Sequence, residues 1–216
     1  MNLKVVETFT SIQGESTHSG KICFFIRLAG CNLDCSYCDT KYARKSDTGT
    51  DISVFKLVNL AKKAAVPIVE ITGGEPLLQR ETPFLCEKLQ EVGFIVMVET
   101  NGSLPLEKLP DGIIRVIDCK CPSSGESDKM LFSNFENLKP YDEVKFVMSD
   151  ENDFNYAMKI IKKYGIAKRT RNILFSPVQG KMNPADLANL MIKEKSPARL
   201  QLQIHKHIWP PEMRGV

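Results

Sequence analysis

The chain has 216 residues, of which 43% are hydrophobic and 25% charged, which is enough for one ordinary globular domain spanning 1–216 with a real core. Its 29 Lys and Arg against 26 Asp and Glu leave a net charge of only +3, and the lysines are scattered; this argues against nucleic acid as the main partner, which needs a concentrated basic face. No run of 18 apolar residues is present, so no membrane contact is expected, and the opening MNLKVVETFT lacks a signal-peptide layout.

The predicted elements alternate between strand and helix. An extended segment covers Lys4–Phe9, followed by the polar turn Ser11–Glu15. Ile22–Leu28 is an apolar run broken only by Arg27, as in a strand buried on both faces. A cysteine-rich loop follows. Asp51 and Ser53 are candidate caps for a helix with Val54, Leu57, Val58, Ala61 and Ala65 at helical spacing. Pro67–Ile71 is a strand ending in Thr72-Gly-Gly-Glu-Pro76. A helix spans about Glu81–Glu91 and closes at Gly93. Further strands are expected at Phe94–Val98, Ile113–Ile117, Glu143–Met148, Asn172–Phe175 and Leu200–Ile204. Asp150 caps one more helix, and Asn183-Pro184 opens the last, with proline at its favoured first position.

Cys31-Asn-Leu-Asp-Cys35-Ser-Tyr-Cys38 carries the chemistry. Structural zinc wants four ligands, usually as two separated pairs. A cubane iron–sulfur cluster also wants four thiolates, and this loop supplies three. One iron would stay open to a small molecule. Two plainer readings stand beside it. The cysteines are small buried apolar residues, or a zinc ion borrows Cys23, Cys119 or Cys121 as fourth ligand. Seven cysteines without a leader point to a reducing cytoplasm, where they serve metals or catalysis.

Every predicted strand ends in a polar loop bearing glycine or proline, where the charged and hydroxyl residues gather. Alternating βα units make a parallel sheet with right-handed crossovers, and ligands bind outside the carboxyl ends of its strands. Cys31–Cys38, Thr72–Glu75, Glu99–Asn101, Lys120–Ser124 and Ser176–Gln179 should therefore share one mouth. The fold class is α/β, an incomplete (β/α) barrel of about six parallel strands, open on one side.

The CxxxCxxC loop with Gly73-Gly74-Glu75-Pro76 after the next strand resembles the radical S-adenosylmethionine (SAM) superfamily, whose fold is a TIM-like partial barrel. Phe9–Glu15, Phe25–Leu33, Tyr37–Thr40, Glu99–Gly102, Asp118–Ser124 and Gln203–Lys206 resemble the 7-carboxy-7-deazaguanine synthases over nearly the whole chain. The resemblance implies a ring-contracting lyase of queuosine biosynthesis, acting on 6-carboxy-5,6,7,8-tetrahydropterin with loss of ammonia. It implies a [4Fe-4S] cluster on Cys31, Cys35 and Cys38, SAM as cofactor, and Mg²⁺ at Thr40. It places SAM against Tyr37, Asp39, Gly74, Lys120, Ser123 and Gln179. It places substrate against Ile12, Gln13, Gly14, Arg27 and Thr72. No residue is singled out as catalytic. The implied partners are an external one-electron reductant, such as flavodoxin or ferredoxin, and a second copy of the chain in a homodimer.

Competing readings remain open. Glycyl-radical activating enzymes share the cysteine spacing, and a non-catalytic iron–sulfur or zinc protein needs no SAM. The plainer reading of Arg27 is an ion-pair partner of Glu15 or Glu99, and of Thr40 a helix cap. Ser16 stands where the family commonly has glycine, and Tyr37 where it commonly has tryptophan. His205 is expected near the mouth. Cys119 and Cys121 pack in the core or hold a second metal. The tail from Trp209 to Val216 has no settled role.

Overall fold

The computed structural model describes residues 1–210 and 213–216, so two residues of the tail lie outside the description. The strands are β1 (Asn2–Ile12), β2 (Ile22–Leu28), β3 (Thr50–Ser53), β4 (Ile68–Gly73), β5 (Ile95–Thr100), β6 (Ile114–Asp118), β7 (Glu143–Met148), β8 (Asn172–Pro177) and β9 (Arg199–Leu200). They form one sheet in the order β3-β1-β2-β4-β5-β6-β7-β8-β9. Helices α1 (Val54–Ala64), α2 (Thr82–Glu91), α3 (Glu151–Tyr164) and α4 (Pro184–Lys193) lie in the crossovers from β2 to β4, β4 to β5, β7 to β8 and β8 to β9, a loop and short 3-10 turns join β5 to β6 and β6 to β7, and a short α5 (His205–Ile208) follows β9.

From β2 to β8 the pairing is parallel throughout, giving the expected six long parallel strands. The start of the sheet differs. β1 runs antiparallel to both β2 and β3. Only a loop joins β1 to β2, and a parallel return would need a crossover of a dozen residues or more. β3 was not expected. Asp51 does not cap α1; it lies opposite Lys4 in the ladder, with Nζ to Oδ2 at 2.7 Å. Ser53 alone caps α1, its hydroxyl accepting from Lys56 N at 3.3 Å.

Period-2 alternation sorts the residues. One face of the sheet sends Ile26, Leu28, Val69, Ile71, Val96 and Val98 against Leu57, Ala61, Leu85 and Leu89 of α1 and α2. On the same face Ile117, Phe146, Ile173 and Phe175 meet Phe154, Ala157 and Ile161 of α3 and Leu187 of α4. A fully buried Leu or Phe contributes about 1.5–3 kcal/mol. An exposed pair such as Lys4–Asp51 contributes roughly 0–1 kcal/mol, so apolar packing holds the helices in place. The other face is different. Cys23, Phe25, Ile68, Met97 and Val116 form a small apolar floor. Toward the carboxyl ends, the same face turns polar with Arg27, Glu70, Thr72, Glu99, Asp118 and Lys145.

The loop after β1 leaves from the amino-terminal end of β2, yet it crosses the inner face. Thr17 N and Oγ1 donate to the Glu143 carboxylate at the start of β7. Within this loop Ser16 has φ 64°, the left-handed region, and its hydroxyl accepts from His18 N at 2.8 Å. The expected strand Leu200–Ile204 is only two residues long. Gln203 and Ile204 leave the sheet because they bond to the crossing loop. Gln203 Nε2 donates to Glu15 Oε1 at 2.8 Å, and Ile204 N donates to Gly14 O at 3.0 Å. A Cβ on Gly14 would stand 2.0 Å from His205 Nδ1, so only glycine lets that imidazole pack there.

Gly74 has a comparable constraint. It was expected to give a ligand close approach, but its near neighbour is the cysteine loop. A Cβ there would stand 2.0 Å from Gly30 O, while Glu75 N donates to that same carbonyl at 2.7 Å. Gly74→Ala should therefore lower unfolding stability by about 1–3 kcal/mol, the range for forced overpacking. Urea denaturation followed by circular dichroism measures it, and an unchanged midpoint would show that the two loops separate freely.

Candidate active site

A cavity of about 790 Å³ opens on the polar face, within the range of ligand pockets. Every candidate site residue named above lines it except Ser123. Ser123 is instead held against α3, where its N donates to Asp153 Oδ1 at 3.0 Å and its hydroxyl donates to the same carboxylate. A hydroxyl already committed to a buried carboxylate is poorly placed to serve a ligand.

Cys31, Cys35 and Cys38 bring three sulfurs to the cavity wall. Two bonds from the 41–44 turn fix the loop, Gly30 N to Ala43 O at 2.8 Å and Cys31 N to Arg44 O at 2.9 Å. Glu75 holds it from the other side. Its carboxylate is fully buried and accepts from Thr100 Oγ1 at 2.8 Å, Leu77 N at 2.9 Å and Asn101 N at 2.7 Å. Asn101 Nδ2 then donates to Asn32 Oδ1 at 3.0 Å and lies 3.8 Å from Cys31 Sγ. Burial pushes the Cys35 thiol up to about 11, against the pull of the Lys120 ammonium. Burial also opposes the charge on Lys120, but Asp118, with Oδ2 at 2.7 Å, and Cys35 outweigh it and raise the ammonium's pKa.

This donor set fits a [4Fe-4S] cluster. No three His, Cys, Asp or Glu side chains converge on a single metal ion among the described residues. A cubane does not require such convergence, since each thiolate takes its own iron corner. The other cysteines do not supply a fourth ligand. Cys23, Cys86, Cys119 and Cys121 are fully buried and none lines the cavity. Cys119 and Cys121 belong to the apolar core behind β6 and β7, which fits the packing reading. Lys120 and Asn101 place positive charge and an N–H near the sulfurs, where a negative cluster would use both.

The remaining candidates surround the cysteines. Tyr37 donates its hydroxyl to Val147 O at 3.1 Å, with the Lys181 ammonium 5.7 Å from its ring centre. Asp39 faces Lys206 Nζ at 2.9 Å; burial works against its charge, and Lys206 more than offsets this, holding the carboxyl at about 2. Thr40 Oγ1 lies 3.4 Å from Asp39 Oδ1 and 3.9 Å from Cys38 Sγ. Its side chain makes no cap bond to the following turn. Arg27 pairs with neither Glu15 nor Glu99. Its Nε donates to Glu7 Oε1 at 2.8 Å, and Phe9 and Tyr42 flank the guanidinium with ring centres 5.6 and 5.9 Å away. In the tail, Arg214 sits 4.1 Å from the Tyr42 ring centre, and Trp209, Pro210 and Met213 join the wall.

Sequence reasoning left several wall residues without a role. Lys145 is 2% exposed, with Nζ 2.7 Å from Glu15 Oε2, in contact with Glu99 and 3.8 Å from Asp118 Oδ2. Burial disfavours both charges, yet Glu15 is lowered and Lys145 raised because each holds the other ionised. Glu70 is buried beside Gln13 and Glu99. A charged residue inside the otherwise apolar strands 68–73 and 143–148 was the available signal.

Residues 25–192 match the radical SAM superfamily. A 7-carboxy-7-deazaguanine synthase of Clostridium acetobutylicum is 42% identical, with 100% of each chain covered. Its counterparts in Koribacter versatilis and Chlorobaculum tepidum are 38% and 40% identical over 99% of this chain, covering 100% and 97% of their own. The crystal structure of QueE from Escherichia coli superposes with a TM-score of 0.78 at 22% identity, covering 94% of each chain. That of Streptococcus suis SuiB bound to S-adenosylmethionine gives 0.55 at 13% identity over 80% of this chain and 48% of that one. The last two bear on the fold alone. The relatives across the full length, together with three cysteines on one cavity wall, place the chain in the 7-carboxy-7-deazaguanine synthase family of the radical SAM superfamily.

Proposed function

We propose that the protein converts 6-carboxy-5,6,7,8-tetrahydropterin to 7-carboxy-7-deazaguanine with loss of ammonia, in queuosine biosynthesis. The observation that carries this reading is the gathering of a three-cysteine loop, a guanidinium and a buried carboxyl-rich wall around one cavity. When bound, a [4Fe-4S] cluster and SAM supply one-electron cleavage of a sulfonium C–S bond and a carbon radical able to take hydrogen from substrate. The chain's own residues bind, orient and shield. Cys31, Cys35 and Cys38 hold the cluster. Lys120, with Tyr37, Asp39, Gly74 and Gln179, borders the SAM side. Arg27 offers the planar fork that suits the carboxylate of the substrate. Ile12, Gln13, Gly14 and Thr72 border that substrate. The tail 213–216 and Trp209 narrow the opening and limit water.

Three finer expectations belong to this reading. Thr40 offers a hard oxygen for Mg²⁺, an ion that tolerates few protein ligands. The reductant is an external flavodoxin or ferredoxin in the cytoplasm; no helix among the described residues is long and apolar enough to cross a membrane. The chain forms a homodimer, since Ile192 is 76% exposed on α4 and Leu200 37% exposed on the edge strand β9.

Anaerobically reconstituted protein given SAM, Mg²⁺, reductant and the carboxytetrahydropterin should yield the ultraviolet spectrum of the deazaguanine. SAM cleavage that ignores the pterin and depends on a second protein would overturn the reading in favour of a glycyl-radical activating enzyme. Thr40→Ala should raise the Mg²⁺ concentration needed for half-maximal rate while leaving iron content at the wild-type level; a loss of iron would show that Thr40 serves the cysteine loop. Light scattering at micromolar concentration should return twice the chain mass, and a monomer there would exclude the dimer.

A further inference from the structure

β1 carries one residue more than its partner strand matches. Val5 pairs with Leu28 and Glu7 with Arg27, so two residues of β1 stand against one of β2, and Val6 is the extra one. This is a β-bulge, and it reverses the alternation of everything after it. Leu3 and Val5 pack on the helix side of the sheet. Phe9, four residues after Val5, stacks instead on Phe25 of the inner floor, with ring centres 4.9 Å apart. An unbroken strand would send Glu7 and Phe9 toward the apolar layer of Leu3, Val5, Val54 and Leu57. The bulge sets Glu7 directly opposite Arg27 on the inner face.

Glu7 does not line the cavity, but both side chains it holds do. Its Oε1 accepts from Arg27 Nε at 2.8 Å and from the Tyr42 hydroxyl at 2.8 Å. Tyr42 belongs to the 41–43 turn, whose Ala43 O fixes Gly30 ahead of the cysteines, so Glu7 is tied to an anchored neighbour. Among the described residues Glu7 is the sole hydrogen-bond acceptor of the Arg27 guanidinium, and it takes only the Nε edge. Nη1 and Nη2 remain, the end of the fork that a second carboxylate accepts from in parallel. The rings of Phe9 and Tyr42 restrict the guanidinium from either side. Glu15, Glu70 and Glu99 share the same wall and compete for that fork. An unclamped arginine would turn to pair with them and close the site to an anionic ligand.

We propose that Glu7, itself held by Tyr42, is a positioning residue that clamps Arg27 by its Nε edge from behind the cavity wall, keeps it from the wall's own carboxylates, and presents Nη1 and Nη2 to a carboxylate on the ligand. The assignment rests on the proposed function and adds to it a residue that touches neither substrate nor cofactor. It also gives the bulge at Val6 a purpose, since bulges next to active sites re-aim a side chain.

Equilibrium binding tests this without turnover. The reconstituted full-length protein, with SAM but without an electron donor, is titrated anaerobically by calorimetry with 6-carboxy-5,6,7,8-tetrahydropterin and with tetrahydropterin, which lacks the carboxylate. The wild type should prefer the carboxylated ring by about 30-fold, the scale of a charge-assisted bidentate pair. Glu7→Ala should bring the two ligands within roughly threefold of each other. Glu7→Gln, whose amide oxygen still accepts from Nε, should keep most of the preference. Tyr42→Phe, which releases one side of Glu7, should cut the preference about threefold. A folded Glu7→Ala protein that keeps the wild-type preference would overturn the assignment, because a residue that only neutralises Arg27 changes stability and not this ratio. Where Glu7→Ala does not fold, Tyr42→Phe decides, and an unchanged preference there overturns the assignment. Equal wild-type affinities for the two ligands would overturn it while leaving the pterin reading intact. Binding of neither ligand would remove the substrate reading and this assignment together.

Discussion

A buried ammonium on β7 sets the character of this molecule. Lys145 is 2% exposed and sits among Glu15, Glu99 and Asp118. Removing one partner from such a cluster leaves uncompensated buried charge, typically at a cost of about 3–5 kcal/mol. A hydrophobic plug of similar volume would serve stability at least as well. The charges make sense as a polar wall. The helix-facing side of the sheet obtains its stability from ordinary apolar packing, which leaves the inner side to be shaped around a ligand. Alternation along each strand makes this division possible, since Ile71 and Thr72, or Phe146 and Lys145, are neighbours in sequence but belong to opposite faces.

The second constraint is the junction between the cysteine loop and the strand ends. Loops are mobile unless something fixes them. Here Gly74 lies against Gly30, and Glu75 ties Thr100 and Asn101 to its own turn. Burial raises the Glu75 carboxyl pKa while three donors pull it down, so the group is satisfied without a counter-ion. The strands β4 and β5 therefore hold the cysteines at fixed height above the charged layer.

Much of this was legible because it depends on local pattern. Cys31, Cys35 and Cys38 are close in sequence, so their gathering needs no knowledge of topology. Glu143–Met148 was placed to the residue, and the caps Ser53, Asp150 and Asn183 each accept a backbone N–H as their type and position suggest. What escaped depends on distance along the chain. The ion pair of Arg27 with Glu7 joins antiparallel neighbours across an irregular register, and nothing local distinguishes Glu7 from Glu15 or Glu99 as its partner. The strand β3 is four residues long and three of them are polar, which resembles a helix start more than a ladder. Ser123 carries a loop motif that suggested a ligand contact, while α3 supplied Asp153 to occupy its hydroxyl. Gln203 and Ile204 read as strand because they are apolar-alternating, but a tertiary partner took their bonds.

That last substitution explains how an open sheet encloses a cavity at all. A six-strand parallel arc leaves a gap between the β3–β1 end of the sheet and β9 that a full eight-strand barrel would fill. Here the loop between β1 and β2 turns inward and meets the segment after β9. Gly14 O takes Ile204 N, Glu15 takes Gln203, and His205 lies directly over Gly14. The two ends of the arc are joined by side chains and loop backbone, without a further ladder. The same few residues that close the arc, Gln13 and Glu15, also complete the charged layer. Closure and ligand wall are thus one structure, so a change that opened the gap would also disturb the charged layer beneath it.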